Sequence, residues 1–344
     1  MPSIVGGLDI HRKQLTFDYL DLVSGEVACG QIAPADRGHF RSWLARFEDP
    51  GEVAFAAEAC TGWRYVSEEL RRAGIEAHLA EPADTAAARG RKKRAKTDRA
   101  DARLQRELLA QGRLPECWIP PSHVLECRAL LETYHDLRAE HTAWVQRAHA
   151  VLFHRGAPAF HDLSRADAPA QLAELARGHL SAAGQVQVGV YLRMLAALEA
   201  ELDATRRRLL AAARQLRGAR VLAEAIYGVG PVTALALTCW LAGAGRFTSA
   251  RKAVRFAGLD VTVHSSDSKR SPGRLSRQGP PVLRWALYEA GKTHARSVAP
   301  DHGYYAAVKD RKDGKRAALS EARKIVRRAC HILTELGDDA LATA

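Results

Sequence analysis

Four carboxylates in the first third of the chain sit in unusual company. Asp9 lies near the end of the apolar run Ile4–Ile10, in Gly7-Leu8-Asp9-Ile10. Glu58 closes the run Glu52–Ala59, just ahead of Cys60-Thr61-Gly62. A carboxylate among apolar strand residues is costly to bury without a partner. Asp98 and Asp101 stand three residues apart in Lys96-Thr97-Asp98-Arg99-Ala100-Asp101-Ala102, which puts both on one face of a helix. Acids from two strands and one helix can converge on hard divalent cations. Mg²⁺ prefers oxygen ligands and keeps several waters, so a few carboxylates plus a substrate phosphate complete its shell. Two such ions can stabilise both the attacking and the leaving oxygen of a phosphodiester. Taken singly, each acid has a plainer explanation: Asp98 suits a helix N-terminus through the macrodipole alone. Together they read as a catalytic, metal-ligating set for phosphoryl transfer.

Cationic segments accompany these acids. Arg91, Lys92, Lys93, Arg94 and Lys96 crowd one short stretch immediately before Asp98, as a loop that holds a nucleic-acid backbone would require. Gly228 and Gly230 form a Gly-x-Gly turn between two expected helices, where backbone N–H groups can approach a phosphate. A tight helical connection explains the same turn equally well. Further on, Ser265 and Ser266 precede Lys269, Arg270, Arg274 and Arg277. A serine hydroxyl is a poor nucleophile and needs a base or metal nearby. Attack on a phosphodiester would store the bond energy in a phosphoserine, and the cations would stabilise charge developing on phosphorus. His264 reads as a turn histidine rather than a general base.

The elements that must position these residues divide the chain into three. Residues 1–115 read as an α/β domain with strands at Ile4–Ile10, Gln14–Leu22, Glu26–Ala33, Glu52–Ala59 and Ile75–Ala80. Helices are expected at Asp36–Phe47, Thr61–Ala73 and Thr97–Gln111. Three strands, helix, strand, helix, strand, helix is an order compatible with a ribonuclease-H-like sheet. Residues 116–217 read as helical. Leu130, Tyr134, Leu137, His141, Trp144, Ala148 and Val151 form one seam, and Leu195, Leu198, Leu202, Thr205, Leu209, Ala212 and Leu216 another. They predict an antiparallel hairpin or a dimerisation arm, or plain packing within one subunit. Residues 218–344 are mainly helical and basic: Arg251–His331 carries 19 Lys/Arg against 7 Asp/Glu.

That local surplus equals the net charge of the whole 344-residue chain, +12, and points to a polyanionic partner. With 47% hydrophobic and 26% charged residues the composition is that of a globular protein. The six cysteines contain no Cys-x-x-Cys pair, which argues against a zinc ribbon or redox motif. Met1–Asp9 lacks the pattern of a signal peptide, so a soluble cytoplasmic protein is expected.

The Gly-Leu-Asp start, the Glu-Ala-Cys-Thr-Gly strand end and the Lys-Thr-Asp-Arg-Ala-Asp-Ala helix start resemble the DEDD-type insertion-sequence transposases. These are related to the Piv invertases, and members are guided by a bridge RNA. The resemblance extends to Phe256–Gly279 and Leu283–Leu287. It implies a RuvC-like DEDD domain, a helical coiled-coil arm and a transposase domain opened by a helix-hairpin-helix-type element. It also implies Mg²⁺, donor and target double-stranded DNA, a structured guide RNA and a homo-oligomer, a dimer or tetramer. In such an assembly, acid and serine domains of different subunits would meet. Ser266 matches the family's nucleophile, with Ser265 adjacent. Asp260-Val261 and Asp267 depart from the family pattern. Two other functions fit parts of the chain. A RuvC-type junction nuclease using water would explain the acids but not the serine segment. A non-enzymatic architectural DNA- or RNA-binding protein would explain the basic region alone.

Overall fold

A computed structural model describes residues 2–88, 97–158, 167–243, 245–266 and 269–343, with the backbone alone for 263–266 and 269–272. The basic run Arg91–Lys96 falls outside the described residues. Two compact units are present, Met1–Pro120 and Pro121–Ala344.

The first unit is built on one five-stranded sheet in the order β3-β2-β1-β4-β5. Its strands are β1 (Ile4–Ile10), β2 (Leu15–Asp21), β3 (Val27–Ile32), β4 (Val53–Glu58) and β5 (Glu76–Ala80). The first three form an antiparallel meander, while β1, β4 and β5 run parallel. Helices α1 (Arg37–Leu44), α2 (Trp63–Arg72), α3 (Pro82–Ala88) and α4 (Asp98–Ala110) complete it. The expected element order is observed with one addition, α3, and is consistent with a ribonuclease-H-like domain.

Strand alternation separates two faces. Leu8, Phe17, Val53, Phe55 and Ala57 join Phe40, Trp43 and Phe47 in a buried core under α1. Phe55 packs edge-on or tilted against Trp43 and Phe47, with ring centroids 5.5 and 5.7 Å apart. The opposite face belongs to α4. A Cβ on Gly7 would lie 2.0 Å from the Ala102 carbonyl oxygen and 2.6 Å from the Arg106 amide, so only glycine lets this helix rest directly on β1. Beside Gly7 in register is Asp18, whose carboxylate meets Arg106 Nε at 2.6 Å with both side chains buried. Burial raises the Asp18 pKa, and the Arg106 guanidinium opposes that rise.

A second ionic clamp ties α1 to α2. Glu69 is buried and accepts from Arg37 Nη1 at 2.6 Å and Arg41 Nη2 at 2.9 Å, and also from Arg41 Nε. The hydrogen bonds from Arg41 lead in holding its pKa at about 2, against an ordinary 4.5. A depressed carboxylate contributes stability above its unfolded pKa and loses it as pH falls through the folded one. Acid unfolding of this unit therefore steepens between pH 4.5 and about 2. Urea melts across that window will register the slope, and Glu69→Gln will flatten it while destabilising the unit at neutral pH by about 1–3 kcal/mol.

The second unit begins with α5 (Ser122–His154), α6 (Ala168–His179) and α7 (Ala182–Gln215). His141 meets Glu199 at 3.3 Å and Trp144 packs on Tyr191 at 5.5 Å, so α5 and α7 run antiparallel. Tyr134 and Ala148 of the first seam and Leu195, Thr205, Leu209 and Leu216 of the second are buried; the other seam residues are half-buried, as where only two helices meet. In α6, Leu172 and Ala176 close a small core with Leu152 and Val188.

The α5 root is pinned by Arg128, which donates to the Cys239 carbonyl at 3.0 and 2.7 Å. That carbonyl lies in the last turn of α9 (Pro231–Leu241), which is buried from Ala234 to Leu241 and apolar all round, as a central helix must be. Around it stand α8 (Arg217–Ala225), α11 (Pro281–Lys292) and α13 (Gly314–Leu336), with α10 (Ala250–Phe256) and α12 (His302–Arg311) outside. One departure from the sequence reading matters for function. The serine segment, where His264 reads as a turn residue, has a hairpin backbone, β6 (Val261–Ser266) against β7 (Lys269–Leu275).

Candidate active site

The parallel register of β1 and β4 ends at the pair Leu8–Ala57, so Asp9 and Glu58 are the next residues on neighbouring strands at the same sheet end. Alternation places both on the face of Gly7, which is the face α4 covers. The Cys60 thiol registers this proximity: burial pushes its pKa up, and the Glu58 and Asp9 charges push it further.

Helix α4 supplies the remaining acids. Its N-cap is Thr97, whose side chain accepts from the Ala100 amide at 3.2 Å. Asp98 and Asp101 occupy the first turn, where the macrodipole favours negative charge. Ala102 lies over Gly7, so the first turn projects from there toward the strand end that carries Asp9. Gln14, at the turn between β1 and β2, donates to Asp98 Oδ2 at 3.4 Å. Asp9 and Glu58 thus leave adjacent strand ends on the α4 side, and the helix bearing Asp98 and Asp101 is packed over them. All four candidates are carboxylates, a hard oxygen set whose chemistry fits Mg²⁺ rather than a thiophilic metal.

Ser266 ends β6 and pairs with Lys269, the last rung of the hairpin; Ser265 pairs with Arg270. The foot of the hairpin is held by close approaches. A Cβ on Gly258 would lie 2.4 Å from the Gln278 carbonyl, and one on Gly279 would lie 1.9 Å from that of Phe256. Both glycines have left-handed backbones, with φ +67° and +107°. The Ser276 amide donates to the Asp260 carbonyl at 3.0 Å, and its hydroxyl to the Asp260 carboxylate. Asp260, one of the departures from the family pattern, thereby closes the hairpin base. Arg323 of α13 donates to the Leu259 carbonyl at 2.8 Å, joining the base to the helical core.

Residues 6–154 match a family profile described as DEDD-type IS110 transposase. Residues 220–306 match another, described as transposase of the IS116/IS110/IS902 family. The Sinorhizobium fredii protein y4rJ, whose name places it among the transposases, is 30% identical across 97% of this chain and 91% of its own length. The chain belongs to the IS110 family of transposases. Its first matched stretch holds Asp9, Glu58, Asp98 and Asp101, and its second holds Gly228, Gly230, Ser266, Lys269, Arg270, Arg274 and Arg277.

Membership implies DNA cleavage and strand transfer, in a class of domain that is typically metal-dependent. Among the described residues no helix of this transposase is long and apolar enough to cross a membrane. Gly228 and Gly230 lie in the turn between α8 and α9. A Cβ on Gly228, at φ +79°, would lie 2.1 Å from Thr293 Oγ1, so this glycine also serves packing. The neighbouring Tyr227 stacks edge-on against buried His294. His294, Asp301 and Glu321 have ligand atoms within 4.8 Å of one another, a spacing that could hold an ion. Lys324 Nζ already stands 3.3 Å from Glu321 and 3.6 Å from Asp301, and Arg328 meets Asp301 at 3.0 Å. These cations make the cluster a salt-bridged clamp within the helical core.

Sequence reasoning missed Gly7 and the Asp18–Arg106 pair, which seat α4. The signal was present as Gly6-Gly7 inside an apolar strand, where glycine marks a close backbone approach.

Proposed function

We propose that this transposase cuts and exchanges DNA strands through a phosphoserine at Ser266, with Asp9, Glu58, Asp98 and Asp101 holding Mg²⁺. The observation that carries this reading is the placement of two strand-end carboxylates under the helix that bears the other two. Bound Mg²⁺ would neutralise charge on the transferring phosphoryl group. The Ser266 oxygen attacks phosphorus, its proton leaves, and the departing strand carries away the ester oxygen as a hydroxyl. The new serine phosphodiester preserves bond energy, and a hydroxyl of the exchanged strand reverses the step.

Double-stranded donor and target DNA are the substrates. A structured bridge RNA supplies sequence choice by base pairing, while the protein reads shape and backbone. The basic residues Arg91, Lys92, Lys93, Arg94, Lys96, Lys269, Arg270, Arg274 and Arg277, with the Gly228–Gly230 turn, serve backbone contact. The work is done in the cytoplasm by a dimer or tetramer in which the α5–α7 pair acts as a coiled-coil assembly arm. Support for assembly comes from Val186, Val190 and Met194, spaced four apart on α7 with 66%, 37% and 39% exposure.

Covalent trapping tests the proposal with labelled element-end DNA, the transcript flanking the element, and Mg²⁺. Wild type and Ser265→Ala are expected to yield a denaturation-resistant protein–DNA species. Ser266→Ala and Asp98→Ala are expected to lack it. Cleaved DNA without an adduct in any lane would replace this mechanism with attack by water.

A further inference from the structure

Between the foot of the β6–β7 hairpin and helices α12 and α13 lies an open cavity of about 620 Å³. Five arginines line it, Arg274, Arg277, Arg311, Arg316 and Arg323, and among the described residues no Asp or Glu belongs to its lining. Arg274, Arg277 and Arg311 form no ion pair among the described residues. Arg316 has a loose contact with Asp313 at 3.6 Å. Asp313 is engaged otherwise, accepting from the Arg316 amide at 2.7 Å as the cap of α13, while Asp260 is taken by Ser276. Arg323 is half-buried, and that burial lowers its pKa with Arg327 as a like-charged neighbour. Arg277 joins the lining from a left-handed backbone, φ +53°, a conformation a non-glycine residue adopts only when its surroundings impose it.

Like charges gathered in a concavity repel one another, and repulsion inside a recess is screened less than on an open face. An anion with several oxygens relieves it, and guanidinium forks match a phosphate. We infer that this recess is a phosphate subsite for the DNA strand cut by this enzyme, seating one backbone phosphate at a fixed distance from the scissile one. The inference rests on the transposase reading above, which places the reacting phosphate at Ser266. Val261, in the recess, and Ser266 are five residues apart along one strand, about 17 Å at about 3.3 Å per residue. At about 3.4 Å of axial rise per nucleotide, that spans at most about five nucleotides along a duplex. Arg311, Arg316 and Arg323 lie outside the glycine-rich serine segment, so sequence proximity alone does not reveal their convergence.

The test places single neutral methylphosphonate substitutions along each strand of labelled element-end duplex DNA and, separately, along the flanking transcript present with it, and measures binding by the full-length protein, wild type and Arg274→Gln/Arg311→Gln. Neither side chain forms a hydrogen bond among the described residues, and circular dichroism will verify folding. In wild type, one substitution within about five nucleotides of the cleavage point should weaken binding more than its neighbours. In the double variant that particular penalty should vanish, and the slope of log K against log salt should fall by about 0.9, the share of the one phosphate released. Equal penalties in both proteins at every position, with binding intact, would overturn the subsite and leave the transposase reading standing. A position-specific penalty seen only on the flanking RNA would also overturn it. No binding of the duplex by wild type would overturn both.

Discussion

Asp9→Asn is expected to lower strand cleavage by about a thousandfold, equivalent to about 4 kcal/mol of barrier, while leaving the chain folded. Asparagine keeps the size and shape of the side chain, and Asp9 lies at a strand end rather than among the aromatic residues of the core. What disappears is one formal charge from a set of four carboxylates. The same variant gives a readout independent of turnover. An ion that binds only the folded chain stabilises it by about 1.4 kcal/mol at ten times its dissociation constant. Thermal melts of wild type should therefore rise with Mg²⁺, and those of Asp9→Asn should respond far less. Undiminished cleavage, or an unchanged response to Mg²⁺, would remove Asp9 from the metal site.

Gly7→Val should be nearly as damaging to activity, for a mechanical reason. Its first side-chain carbon would stand 2.0 Å from a backbone oxygen of α4, which no rotamer change can relieve. The helix must lift, and overpacking of this kind costs about 1–3 kcal/mol or more. Lifting also breaks the alignment of Arg106 with Asp18, leaving a buried charge less well matched. Asp98 and Asp101 travel with the helix, so the acid set opens even in molecules that remain folded. Urea melts and cleavage assays below the melting transition will separate the two losses. Gly303→Ala is the control: it sits in helix α12 with open space around it, and should stabilise by about 0.5–1 kcal/mol. Wild-type stability and cleavage in Gly7→Val would show that α4 does not set the acid geometry.

The sheet and its acids were legible because their signals are local. β1 and β4 are continuous apolar runs closed by a carboxylate, and Thr97 before Asp98 is a plain capping signal. What escaped depends on partners distant in sequence. Gly7 needs knowledge that α4, nearly a hundred residues later, returns to lie on it. The hairpin escaped because Thr262-Val263-His264-Ser265-Ser266 lacks apolar alternation and Gly273-Arg274 bulges opposite Thr262. Its foot is held by glycine contacts and the Asp260–Ser276 clasp. α6 was obscured by Pro169 at its second position, a residue that reads as a breaker yet is tolerated in a first turn.

The footing of the hairpin carries a mechanical consequence. Ser266 stands at the far end of a slender lever whose pivot is Gly258, Gly279 and the Arg323–Leu259 bond. A tilt of about 5° at such a pivot sweeps a tip about 17 Å away through about 1.5 Å. A misplacement of about 1 Å can slow a reaction about a hundredfold. Under the proposed serine mechanism, tempo would be adjustable far from the reacting phosphorus, by changes too slight to alter the fold.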